Sequence, residues 1–202
     1  MTPSQAPRRR ADARRSRAAI LDAALPLLND RPEASVEAVA TAAGVTRQTV
    51  YAHFPSRERL LAAVLDRLTE EAVTEMDAVD LDAGSAVDAL FGLLEASARS
   101  VGRYPSLLRT IGSLPVASAH DADDAERHAP VAERLGRVIR RGQAAGEFDA
   151  LLAPDWLVTV TIGLAHAAAG EVEAGRMTEA QAAGVLRTSL LRVLGVTDAA
   201  GR

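Results

Sequence analysis

Residues 46–53 read Thr-Arg-Gln-Thr-Val-Tyr-Ala-His, and six of these eight side chains carry a strong hydrogen-bonding group. On a helix, Val50 turns inward and Thr46, Arg47, Gln48, Thr49, Tyr51 and His53 remain for the outer surface. An arginine fork matches O6 and N7 of guanine, and a glutamine amide matches N6 and N7 of adenine. Hydroxyl and imidazole groups reach base edges or phosphate oxygens. Such contacts discriminate only when the helix that carries them is held rigidly from behind. The stretch Val36–Phe54, VEAVATAAGVTRQTVYAHF, provides the means. Ala40 is small where two short helices must touch at a steep angle, and Gly44 tolerates the positive φ of a tight turn. Val36, Val39, Val45, Val50 and Phe54 give both helices an inward apolar edge, and Ser35 and Thr46 can cap them. This is the spacing of a helix-turn-helix that docks on DNA. The competing reading is a surface helical hairpin with no ligand.

The chain that surrounds this motif has 202 residues, 48% of them hydrophobic and only 3% aromatic. Its core must be Ala, Leu and Val, which suits packed helices, and no strand pattern appears. The expected fold is all-α with about nine helices. A basic arm over residues 1–12 is expected to be disordered, followed by a three-helix domain over 13–60 and a helical body over 61–202. Helix four, about 56–78, connects the last two.

Charge is divided unevenly along the chain. Residues 1–60 hold ten arginines against six acids, whereas residues 61–202 hold thirteen against twenty-one. A basic end on an acidic body approaches nucleic acid by one face. The first 17 residues alone carry six arginines and one aspartate. They can lie along phosphates or enter a minor groove, or form a solvated tail; these alternatives stay open. The chain has no cysteine, so disulfide and thiolate chemistry are excluded. No apolar run reaches the roughly 18 residues of a membrane span, and no apolar segment follows the basic start. A cytoplasmic, soluble protein is expected.

Helix one is expected over Ala13–Leu28, with Ile20, Ala24, Leu27 and Leu28 inward and Pro26 an awkward interior residue. Pro55-Ser56 ends one helix and caps the next, whose stripe is Leu60, Leu61, Val64, Leu65 and Leu68. Ser85 opens a helix carrying Leu90, Phe91, Leu94, Ala98 and Val101. A short piece spans Ser106–Gly112, and residues 113–123, with Pro115, read as a loop. Asp124–Ala145 presents Val131, Leu135, Val138 and Ile139 inward. Pro154 opens a helix over Asp155–Ala174, and Thr178 caps the last, with Val185, Leu186, Leu190, Val193 and Leu194.

Little else suggests chemistry. His120 and His128 flank Asp121, Asp123, Asp124 and Glu126, a set that suits divalent ions. Acids at a helix start are equally expected from the helix dipole, so a solvated cluster is the preferred reading. His166 stands alone among alanines, a core or interface position. There is no glycine-rich phosphate loop, Gly-x-Ser-x-Gly elbow or His-Glu-x-x-His, so no enzyme, cofactor or metal centre is expected. The helix after Pro154 is apolar around its circumference, from Trp156 through Val158, Val160, Ile162 and Leu164 to Ala169. It needs cover on more than one side, and a partner subunit is the natural second cover.

The N-terminal quarter resembles the DNA-binding domain of TetR-family transcriptional regulators. The resemblance runs through Arg17–Ala24 (RAAILDAA), Ser35–Ala40 (SVEAVA), Ala43–Thr46 (AGVT) and Val50–Leu61 (VYAHFPSRERLL). The Tyr-x-His-Phe-x-Ser block from Tyr51 to Ser56 is its most specific part, and Pro32 departs from the glycine common there. The resemblance implies a homodimeric repressor on a palindromic double-stranded DNA operator, released by a small-molecule effector. It assigns phosphate contacts to Ser35, Tyr51, His53, Ser56 and the start of helix four at Arg57, leaving Thr46, Arg47, Gln48 and Thr49 to read bases. It also places the dimer interface on the last two long helices, here Trp156, Ile162, Gly163, Ala167, Gly170, Val185, Leu186 and Leu190. Effector contacts are then expected from Phe91, Arg99, Arg103, Tyr104, Leu108, Thr159 and His166. The rival is a helical ligand- or partner-binding protein whose reading head is vestigial.

Overall fold

The computed structural model describes residues 5–112 and 122–196. Among them there is no strand, and the fold is all-α. The helices are α1 (Gln5–Asp30), α2 (Val36–Ala42), α3 (Arg47–His53), α4 (Arg57–Met76), α5 (Ala86–Val101), α6 (Pro105–Gly112), α7 (Ala122–Ala144), α8 (Pro154–Glu173) and α9 (Glu179–Val193). Most of the expected loop at 113–123, with His120 and Asp121, lies outside the described residues. No described helix is long and apolar enough to cross a membrane.

The chain divides into two compact units. The first contains α1, α2, α3, α4 as far as Glu70, and α6; the second contains the rest of α4, α5, α7, α8 and α9. This differs from a boundary at residue 60, chiefly because α6 joins the N-terminal helices. The Asn29 side-chain oxygen accepts from the backbone N–H of Ser106 at 3.0 Å and of Leu107 at 3.4 Å. That satisfies orphan donors in the first turn of α6. Leu107 is then buried in the same apolar cluster as Ile20, Leu25 and Leu28 of α1.

α1 corrects one expectation and keeps another. It begins at Gln5, so residues 5–12 are helical rather than disordered. Ala and Arg are strong helix formers, and Pro7 falls in the first turn, where its missing N–H has no partner to lose. The helix also continues through Pro26. Pro26 is exposed, while Ile20, Leu21, Ala24, Leu25 and Leu28 are buried on the other side. Burial of those side chains, about 1.5–3 kcal/mol for each large one, outweighs the roughly 3 kcal/mol that an interior proline costs.

In the second unit, Phe91, Leu93, Leu135, Val138, Ile139, Leu157, Leu190 and Leu194 form one buried cluster. Glu147 accepts from the Ala86 N–H at 2.7 Å and so caps α5 from a distant turn. The α7–α8 turn is tied by Gln143, whose amide donates to the carbonyls of Asp149 and Leu152 at 2.9 and 2.8 Å. Thr178 and Gln181 form a reciprocal capping box at α9.

Candidate nucleic-acid interface

The turn between α2 and α3 is set by local chemistry. Gly44 has φ +66°, its N–H donates to the Thr41 carbonyl at 3.1 Å, and the Val45 N–H reaches back to Ala40 at 2.9 Å. This pair of bonds satisfies two carbonyls at the end of α2 and requires the left-handed residue that glycine supplies. Ser35 caps α2 by accepting from the Ala38 N–H at 3.2 Å, and Thr46 caps α3 by accepting from Thr49 N–H at 3.1 Å. Val39, Ala40, Val50 and Phe54 are buried against α1 and α4 residues. The pair is therefore fixed from behind by an apolar seat and at both entrances by caps.

The outer surface of α3 carries Arg47, Gln48 and Tyr51, all exposed. The Arg47 guanidinium lies 5.3 Å from the Tyr51 ring centroid and donates to the Tyr51 hydroxyl at 3.5 Å. That hydrogen bond, then the Coulombic attraction of the same group, raises the Arg47 pKa above its ordinary value. Thr46 and Thr49 have their hydroxyls 2.9 Å apart, so each is partly engaged within the helix start. His53 is half-buried, its ring 6.2 Å from that of Phe54. Ser56 caps α4, accepting from the Arg59 N–H at 3.3 Å. The Ser56 hydroxyl also holds the Glu58 carboxyl below its usual range.

Arg57, expected at the DNA contact with the start of helix four, turns its guanidinium back to donate to the carbonyls of Pro32, at 2.7 Å, and Ala34. A half-buried arginine that bonds two loop carbonyls is a fastener of the α1–α2 turn. Arg57→Ala leaves both acceptors without their donor and is expected to lower unfolding free energy by about 1–3 kcal/mol. Urea unfolding measures this, and the base preference of the protein should be unaltered. One contact escaped the sequence reading: the Arg17 guanidinium stacks 5.3 Å from the Phe54 ring centroid.

The residues expected at an effector site do not fall in one unit. Tyr104 and Leu108 pack on the core of the first, and Arg103 is exposed nearby in sequence. Phe91 lies in the core of the second, with the Arg187 guanidinium 4.3 Å from its ring centroid. Thr159 and Arg99 are exposed. His166 is also exposed, and its ring meets that of His128 edge-on at 5.4 Å. A groove of about 370 Å³ in the second unit is lined by Asp77, Leu81, Glu133, Arg134, Arg137 and Arg140, none of them in the expected set. Among the described residues no three His, Cys, Asp or Glu side chains are grouped to hold a metal ion.

The dimer candidates separate in a similar way. Trp156, Gly163 and Ala167 on α8 and Val185 on α9 are exposed, and Gly170 is half-buried. Ile162 and Leu186 are partly buried against the second core, and Leu190 is wholly inside it. Leu190 is therefore removed from the interface set, because a side chain with no exposure has no area left to give a partner.

A family model described as bacterial regulatory proteins, tetR family, matches residues 20–64, which span the helices just described. The HTH-type transcriptional repressor LfrR of Mycolicibacterium smegmatis is 37% identical over 82 residues, 41% of this chain and 43% of LfrR. The HTH-type transcriptional regulator EthR of Mycobacterium tuberculosis is 48% identical over 56 residues, 27% of this chain and 26% of EthR. The chain thus matches less than half the length of these curated relatives. The crystal structure of LfrR in complex with proflavine superposes with a TM-score of 0.62 at 27% identity, covering 91% of this chain and 98% of that one. Over residues 20–64, which hold the Gly44-turned helix pair, the chain is thus similar to the tetR family, and its all-helical fold is similar to that of LfrR.

Proposed function

We propose that the protein is a homodimeric transcriptional repressor that reads a palindromic operator with α3 and leaves it when a small organic molecule binds the second unit. The observation that carries this reading is the exposed Arg47–Gln48–Tyr51 surface on a helix capped by Thr46 and seated by Val50. Two such helices enter successive major grooves when they stand about one turn, ~34–36 Å, apart.

Dimerisation through α8 and α9 is supported by glycines that nothing within the chain requires. A Cβ built on Gly163, Gly170 or Gly184 meets no atom within 4 Å, whereas one on Gly142 falls 2.3 Å from the Phe148 ring. A glycine inside a helix costs about 1 kcal/mol relative to alanine. At Gly142 that cost is explained by Phe148; at the other three, close approach by a second subunit supplies the reason. Exposed Trp156 and Val185 flank the same small residues.

The effector reading rests on the apolar character of the second core around Phe91 and on the capture of proflavine by LfrR. It predicts an apolar or mildly polar ligand, contacting α5, α7 or α8. A molecule that releases DNA but maps to residues 13–60 overturns that placement.

The direct test is a gel shift on the protein's own upstream region at two salt concentrations, with random duplex as competitor. Retention of a discrete complex under competitor supports the repressor reading. Equal competition by random duplex favours a vestigial reading head instead.

A further inference from the structure

The N-terminal half of α1 carries arginines at 8, 9, 10, 14, 15 and 17 and one acid, Asp12. Those at 9, 10, 14, 15 and 17 are exposed. They are not spread evenly. At 100° per residue, Arg10, Arg14 and Arg17 fall within about 60° of one another, in a single stripe. Arg9 lies roughly 100° away from that stripe and Arg15 farther, where it pairs with Asp12.

The stripe has a direction set by the rest of the helix. Ile20, Leu21, Ala24, Leu25 and Leu28, the residues that seat α2 and α3, centre on the same angle of α1. Arg10, Arg14 and Arg17 therefore continue the face of α1 that meets the helix-turn-helix. The junction is visible at Arg17, which stacks on Phe54 at the end of α3. From there Arg14 and Arg10 extend about 10 Å farther at 1.5 Å per residue.

We infer that this stripe is a second DNA contact, a helical extension that grips duplex phosphates beside the groove read by α3. The inference rests on the DNA-reading function proposed above. A cationic face continuous with a base-reading motif is complementary to the phosphate backbone flanking the groove. The helical state also decides how it binds. A helix 10–12 Å across does not enter a minor groove of about 6 Å, so the contact is with the backbone and carries no base preference.

The test is the salt dependence of binding, measured by fluorescence anisotropy on a random-sequence duplex and on an operator duplex selected from a random pool. Arg10→Ala with Arg14→Ala removes two exposed charges and adds two better helix formers, so folding should persist by circular dichroism. The plot of log affinity against log salt should become shallower by about 0.9 for each lost contact, close to two per subunit. Affinity should fall by the same factor on both duplexes, with the selected sequence unchanged. Arg9→Ala with Arg15→Ala removes the same charge off the stripe and should change the slope by less than half as much. An unchanged slope in the first variant, or an equal change in both, overturns the inference. If the unsubstituted protein selects no sequence from the pool, it is the DNA-reading function itself that fails.

Discussion

Replacing Ala167 by glutamate should give a monomer that retains its helices and no longer holds its operator. Ala167 is exposed on α8 in the single chain, so a glutamate there is solvated and harmless to the monomer. In a dimer packed through α8 and α9 the same carboxylate is buried without a partner, which costs about 3–5 kcal/mol. That lowers the association constant by a hundredfold or more. A single recognition helix touches only a few base edges, so operator affinity falls with the dimer. Sedimentation and circular dichroism separate loss of assembly from loss of fold. Gly163→Ala supplies the complementary measurement. Nothing within the chain opposes the added methyl, so in an isolated subunit it should stabilise α8 by up to about 1 kcal/mol. Against a closely packed partner it should weaken the dimer instead. A variant with higher thermal stability and unaltered self-association would place the interface elsewhere.

What the sequence disclosed about this fold depended on how far each signal reached along the chain. Ser35, Thr46 and Gly44 act within three to five residues of themselves, and the caps and the turn they imply are present as anticipated. Thr178 with Gln181 is another local signal that needed no tertiary context. α6 was different. Its place beside α1 depends on Asn29 meeting Ser106, 77 residues away, and neither residue type announces such a partner. Arg57 shows the same limit in a site residue. Its charge was evident, but the direction of its guanidinium, back toward Pro32 and Ala34, is set by the path of the preceding turn.

Composition also misled in one direction and under-determined another. An arginine triplet beside two prolines suggested disorder, yet arginine and alanine propagate a helix once Pro7 is confined to its first turn. On α8, apolar residues all round left no periodicity to tell an inward side chain from one facing a partner, and on α9 the apolar residues do not declare which of them face a partner. Leu190, wholly buried, and Val185, half exposed, look alike in sequence. Only the packing of α7, α8 and α9 separates them.

The division of labour on α3 gives the second large effect. Gln48 is exposed at the second position of the helix, where a side-chain amide can pair with adenine through two bonds. Gln48→Ala should abolish preference at one symmetric position of each half-site, a loss of about 1–3 kcal/mol, or 5- to 150-fold between bases. Tyr51→Phe should act differently. Phenylalanine keeps the ring beneath Arg47, which stacks 5.3 Å from its centroid, and removes only the hydroxyl. With that stack intact and only the long 3.5 Å hydrogen bond to the hydroxyl lost, Arg47 should keep its place beside the ring, while a phosphate contact is lost from every sequence alike. Affinities should therefore drop by a common factor, with the preference matrix preserved. Binding-site selection from a random pool reads both variants on one scale. A matrix left intact by Gln48→Ala and altered by Tyr51→Phe would reverse the assignment, making Tyr51 the base reader and Gln48 a bystander.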